Sequence, residues 1–230
     1  MMKDFCKTLM IAALWATACC INAQEYVNYG TPSVNKKYDM AFSIKAGLGK
    51  SWYVDLNEKW KNMESIFSYT AGVSFEILPM KNGFGGSVSA MLSKQGANIV
   101  IDSYMHRKAE FTAHTFTFPV NVTYNWYLNN KDWRIQLGFG PYLSYLYKSK
   151  QKYPGYRPDQ FPMRDFNYGT DLTLGVYYKR FYGGLHAQGD ILNVAEDGEV
   201  RQIFYESMGS SRSIEAPHQF AVWYVFGYKL

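Results

Sequence analysis

Eight ionisable side chains sit on the small, polar face of otherwise apolar alternating segments: Lys45, Glu76, Arg134, Asp171, Lys179, His186, Asp190 and Lys229. Gathered in one enclosed space, such groups can pair and fill it, line a gated polar path, or exchange protons. Pairing is the favoured reading, because a buried charge stranded without a partner costs several kcal/mol. A proton-transfer dyad is harder to build. His186 and Asp190 stand at i and i+4, about 13 Å apart on a strand that rises roughly 3.3 Å per residue. His106 and His114, with Asp102 and Ser103 close in sequence, would belong to connections rather than to this face. No metal-ligand spacing, phosphate loop or nucleophile elbow is present, so no catalytic, cofactor-binding or metal-ligating residue is assigned.

The elements that must position these groups are strands. From 112 to 126 the even positions read Thr, His, Phe, Phe, Val, Val, Tyr, Trp, and the odd positions include Thr115, Thr117, Asn121, Thr123 and Asn125. Beyond Asn129 and Asn130 the pattern restarts with parity reversed, at Trp133, Ile135, Leu137, Phe139, Pro141, Leu143, Tyr145 and Tyr147. Side chains of a strand alternate faces, so this is a long hairpin with one apolar and one small or polar face. Six further alternating segments follow the same grammar, starting near Met40, Phe67, Phe84, Tyr168, Phe181 and His218. The connections alternate long and short, with long ones expected at 51–64, 94–110, 148–165 and 193–216. An even strand number with short turns at one end and long loops at the other predicts an all-β, eight-stranded antiparallel up-and-down transmembrane barrel.

Composition agrees with an envelope protein. Of 230 residues, 18% are aromatic, and the net charge of +5 is scattered through connections instead of forming a nucleic-acid stripe. Residues 1–23 read as a cleaved signal peptide: Lys3 and Lys7, an apolar core from Leu9 to Trp15, then small residues up to Ala23. The apolar run is shorter than the ~20 residues of a membrane-spanning helix. All three cysteines, Cys6, Cys19 and Cys20, fall inside it, so the mature chain has no thiol. Lipidation at Cys19 or Cys20 is the alternative, against which Ala16-Thr17-Ala18 lacks the usual upstream leucine. Residues 24–37 form a periplasmic leader and 38–230 the barrel.

A soluble ligand-binding barrel could show the same alternation with its apolar face inward. Its outer face would then carry many Lys and Glu, whereas the second face here is Gly, Ser, Thr, Asn and Gln, suited to a narrow lumen. Aromatics such as Trp126, Trp133, Tyr145, Tyr178 and Tyr228 gather near the ends of the apolar rows, where rings meet lipid–water boundaries. Pro119 and Pro141 cannot donate to a ladder, so each is expected at a bulge or a non-bonded position.

Four stretches carry a family resemblance: Phe116-Thr117-Phe118-Pro119-Val120, Leu137-Gly138-Phe139-Gly140-Pro141-Tyr142-Leu143, Gly175-Val176-Tyr177-Tyr178-Lys179-Arg180 and Phe226-Gly227-Tyr228-Lys229-Leu230. Residues 39–230 resemble the PorT-type outer-membrane β-barrel family of Bacteroidetes-type bacteria. The resemblance implies a barrel in the outer membrane of a Gram-negative cell, inserted by the barrel-insertion machinery through its C-terminal strand. Leu230 departs from the usual terminal Phe. Some family members are tied to protein secretion, but a role of that kind does not transfer with a fold. The expected function is a non-enzymatic barrel with a packed polar lumen, outer-membrane lipid around it and a protein or glycan partner at its external loops. A loop-bearing lipid acyltransferase-like enzyme and a narrow pore are the alternatives.

Overall fold

The computed structural model describes residues 38–54, 63–79, 83–102, 107–128, 132–152, 163–194 and 217–230. The signal peptide and leader expected at 1–37 lie outside the described residues, as do most of the long connections. The described chain is all strand: β1 (Tyr38–Val54), β2 (Met63–Pro79), β3 (Phe84–Asp102), β4 (Arg107–Tyr127), β5 (Trp133–Lys152), β6 (Phe166–Tyr178), β7 (Phe181–Asn193) and β8 (His218–Lys229). Each pairs antiparallel with its sequence neighbours, and β8 returns to β1, from Ser43↔Lys229 to Val54↔His218, closing the barrel. The final residue takes part in closure, since the Leu230 N–H donates to the Phe42 carbonyl at 2.8 Å.

The wall is inside-out. Along β6 the burial alternates without a break from Asn167 to Tyr178. Thr117, Thr123, Asp171 and Ser43 are sealed inside, while Val122, Tyr224 and Phe226 are each at least 66% exposed on the outside. An apolar exterior around a polar interior is the opposite of a water-soluble barrel and suits hydrocarbon. Aromatic pairs mark the turn end of this band, with Trp133 against Tyr178 (4.5 Å between ring centroids) and Phe181 against Tyr228 (5.4 Å). At the loop end, Tyr145 meets Phe166 at 4.9 Å.

Two sequence expectations need correction. The long connection expected at 94–110 is largely strand: β3 runs to Asp102 and β4 starts at Arg107, and β1, β2 and β5 likewise extend to Val54, from Met63 and to Lys152. Apolar alternation tracks the hydrocarbon, and it stops where the wall enters water although the ladder continues. β3, β4 and β5 have 19, 21 and 20 residues, against the ~9–11 that span a bilayer. They therefore project beyond the loop end of the membrane band. Lys179, expected in the lumen, is exposed in the two-residue turn after β6, at φ 54°, with its ammonium 5.4 Å from the Tyr178 ring centre. β6 ends one residue too early for its parity to hold. The prolines, expected at a bulge or a non-bonded position, coincide with no bulge. β4–β5 pairing lapses between Pro119↔Tyr142 and Val122↔Phe139 and resumes in the same register, which is the non-bonded alternative.

The inside-out wall makes substitution costs depend on depth. Leu172→Lys, midway between Tyr168 and Tyr178 on the lipid face of β6, is expected to destabilise the barrel by about 2–4 kcal/mol. Phe67→Lys, at the loop-end boundary of β2, is expected to cost about 0–1 kcal/mol. Urea unfolding in phospholipid vesicles measures both, and equal costs would contradict the assigned membrane position.

Candidate functional site

The lumen is built in tiers, because residues opposite one another on neighbouring strands point to the same face. One tier runs across five strands as Arg134↔Tyr177↔Tyr182↔Gly227↔Lys45. Its two cations converge on Glu76 of β2, which is 1% exposed. Lys45 Nζ lies 3.1 Å from Glu76 Oε1, and Arg134 Nη2 lies 3.0 Å from Oε2. The Tyr177 hydroxyl also donates to Oε1, and Gln136 Nε2 approaches Oε2 at 3.5 Å. Two cations against one anion leave a surplus positive charge, which the aromatic rings accommodate. The Arg134 guanidinium sits 3.8 Å from the Tyr177 ring centre and Lys45 Nζ 4.6 Å from that of Tyr182.

Space for those rings comes from the tier above, where Gln136 pairs with Gly175 and Gly175 with Gly184. A Cβ at Gly175 would meet Tyr182 Cε2 at 2.2 Å, so glycine there is the notch that receives the phenol ring. The Tyr182 hydroxyl then reaches His186 Nε2 at 2.9 Å. Higher still, Asp171 accepts from Asn121 Nδ2 (2.5 Å) and Gln188 Nε2 (2.9 Å), and Trp223 Nε1 donates to Ser68 Oγ at 2.6 Å. Near the loop end Tyr142 passes over Gly169 to donate to Asp190, which also accepts from Asn167. Here too a Cβ would collide, 2.7 Å from Tyr142 Cε1.

Of the eight residues singled out from the sequence, the structure gathers Lys45, Glu76 and Arg134 into one cluster. Asp171, His186 and Asp190 lie above it, each engaged by phenols or amides instead of by one another. Lys229 is half-buried at the turn-end rim, where its N–H donates to the Arg180 carbonyl at 2.7 Å. Lys179 lies outside the lumen. The His186–Asp190 pair makes no dyad. His114 points outward from β4, between Tyr69 and Tyr147 (ring centroids 6.5 and 6.1 Å away). His106 and Ser103 lie outside the described residues. Sequence reasoning missed Tyr142, Tyr177, Tyr182, Trp223 and the amides Asn121, Gln136 and Gln188. Their signal was present, since all occupy lumen-parity positions and a buried phenol or indole needs a hydrogen-bond partner.

The described lumen holds a mid-height cavity of about 10 Å³, bordered by Lys45, Asp171, His186 and Trp223. That is room for about one water molecule. Geometrically, then, this is a closed transmembrane barrel with an apolar lipid-facing wall and a filled polar interior.

The chain belongs to the outer membrane protein beta-barrel domain family, whose model matches residues 25–191. It is accordingly a protein of the Gram-negative outer membrane. Among solved structures it is similar to the outer membrane protein OprG from Pseudomonas aeruginosa, at 13% identity and a TM-score of 0.46, covering 83% of this chain and 95% of that one. Neisserial surface protein A gives 8% identity and a TM-score of 0.46, covering 84% and 99%. The attachment invasion locus protein Ail of Yersinia pestis, in complex with the heparin analogue sucrose octasulfate, gives 11% and 0.43, covering 84% and 99%. No curated protein sequence matches the chain.

Removing the shared anion should expose how tightly this cluster is coupled. Glu76→Ala leaves Lys45 and Arg134 facing each other without a counter-charge and is expected to cost about 3–5 kcal/mol. Denaturant unfolding in vesicles checks it, and a wild-type midpoint would contradict the placement of Glu76.

Proposed function

We propose that the protein is a non-conducting, non-enzymatic barrel that acts from its external end, where it presents a surface to a protein or glycan partner. The observation that carries this reading is the filled lumen. Lys45, Arg134, Tyr177, Tyr182 and Gln136 meet across the bore near Glu76, and Asp171 and Asp190 are tied across it above. Any solute larger than water would have to break several charge-assisted bonds at once, each worth more than a neutral hydrogen bond. The long β3–β4–β5 wall supports the second half of the reading. Long strands and loops on the outer side are the general plan of such barrels, and this wall adds surface well beyond what spanning requires.

Within its family we place the chain with the PorT-type barrels, on the strength of the four stretches from Phe116 to Leu230 given above. A link to protein secretion would need support beyond that placement, since the role does not transfer with the fold. The same reading has the mature chain begin at Gln24 after signal-peptide removal, and it makes β8 the segment handed to the barrel-insertion machinery. Around the wall the standing partner is outer-membrane lipid.

Liposome swelling tests the closed lumen directly. Proteoliposomes diluted into iso-osmotic arabinose are expected to swell no faster than protein-free vesicles. Arabinose-dependent swelling would replace this reading with the narrow pore.

A further inference from the structure

On the outward face of the projecting wall, three strands place cations side by side. Lys94 of β3 pairs with His114 of β4, and His114 pairs with Lys148 of β5. Lys150 stands two residues further up β5, opposite Thr112. The neighbours at odd positions on β3 and β4, Ser93, Gln95, Ala113 and Thr115, are buried inside, so Lys94 and His114 look out. The arrangement depends on an irregularity. The β4–β5 register shifts between His114 and Thr115, with Lys148 and Leu146 as their partners, so Tyr147 is the extra residue. A bulge of this kind lets consecutive residues share a face. Tyr147 and Lys148 are both exposed, which sets the basic row directly on the aromatic one.

That aromatic row marks the edge of the hydrocarbon. Tyr69 pairs with Lys94, the rings of Tyr69 and Tyr147 flank His114, and Phe116 lies 4.9 Å from Tyr147. The cations therefore stand one residue step above the lipid boundary, at headgroup height. Two carboxylates on the same wall are already taken. Glu64 holds Lys108 at 2.7 Å, and Glu110 holds Lys152 at 3.4 Å. Lys94, Lys148 and Lys150 have no acidic partner among the described residues. Three lysines gathered on one face without a carboxylate repel one another, and an anion among them would relieve that repulsion.

We propose that Lys94, Lys148 and Lys150, arranged around His114, form a binding site for the phosphate groups of an outer-leaflet glycolipid whose acyl chains lie against Tyr69, Phe116 and Tyr147. Charge complementarity selects the headgroup, and continuity with the lipid-facing wall selects a lipid over a soluble anion. The inference is independent of whether the lumen conducts and of any partner at the loops.

Native mass spectrometry of the full barrel in a phosphate-free, non-ionic detergent provides the test, with diphosphorylated lipid A as probe. The triple variant Lys94→Gln/Lys148→Gln/Lys150→Gln is expected to bind it on the order of 100-fold more weakly, at roughly fivefold per lysine near an anionic surface. Lys108→Gln/Lys152→Gln removes lysines that already have acidic partners and is expected to bind as wild type. Heat-modifiable gel migration of each variant shows that the barrel has folded. Millimolar inorganic phosphate is expected to displace little lipid, and lipid stripped of its phosphates is expected to bind weakly. Equal binding by the wild type and the folded triple variant would overturn the proposal. So would equal binding of the dephosphorylated lipid, or full displacement by free phosphate.

Discussion

Backbone closure is the constraint on which everything else in this molecule depends. Within hydrocarbon no water is available to an unpaired N–H or carbonyl, and an open sheet edge would strand a whole row of them. The β8–β1 ladder removes that edge. Closure with only eight strands then leaves a bore too narrow for bulk water, so the interior must be filled by side chains. Those side chains cannot be apolar on both faces of every strand without losing the alternation that orients the wall. They are polar, and being enclosed they must satisfy one another.

Satisfaction across the bore explains several choices of residue type. Glu76 is the hub that lets Lys45 and Arg134 be buried at all, and the tyrosines do double work as hydrogen-bond donors and as faces for the cations. Gly169 and Gly175 are the complement of Tyr142 and Tyr182, because large rings in a narrow bore need neighbours without a Cβ. The same logic separates the two ends of the molecule. The turn end is tied shut by charge, the middle by amides around Asp171, and the loop end opens into a wall that no longer needs an apolar exterior.

Much of the architecture was legible in the sequence because period-two alternation reports directly which way a side chain faces. Strand number, antiparallel order and the lumen parity of Lys45, Glu76, Arg134, Asp171, His186 and Asp190 all follow from it. Alternation does not report register. That Arg134 and Lys45 share one carboxylate, or that Tyr182 reaches His186, depends on stagger between strands far apart in sequence. It also fails where the solvent changes. Beyond Lys94 and before His114 the outer face turns polar, and the ladder continues unseen. Lys179 was misplaced for a third reason: β6 ends at Tyr178, and Lys179, itself at positive φ, is a turn residue to which strand parity no longer applies. The cationic row on the outer wall was invisible because its members come from three strands and two of them, Lys148 and Lys150, depend on a bulge.

A lumen filled by one connected network around Glu76 is the central claim, and a double-mutant cycle tests it most directly. Glu76→Gln, Arg134→Met and the double variant would be compared by urea unfolding in phospholipid vesicles. The account predicts a coupling energy of about 1–3 kcal/mol, because Glu76→Gln leaves Arg134 without its carboxylate, a loss that vanishes once Arg134 is also replaced. Effects that add within about 0.5 kcal/mol would contradict it.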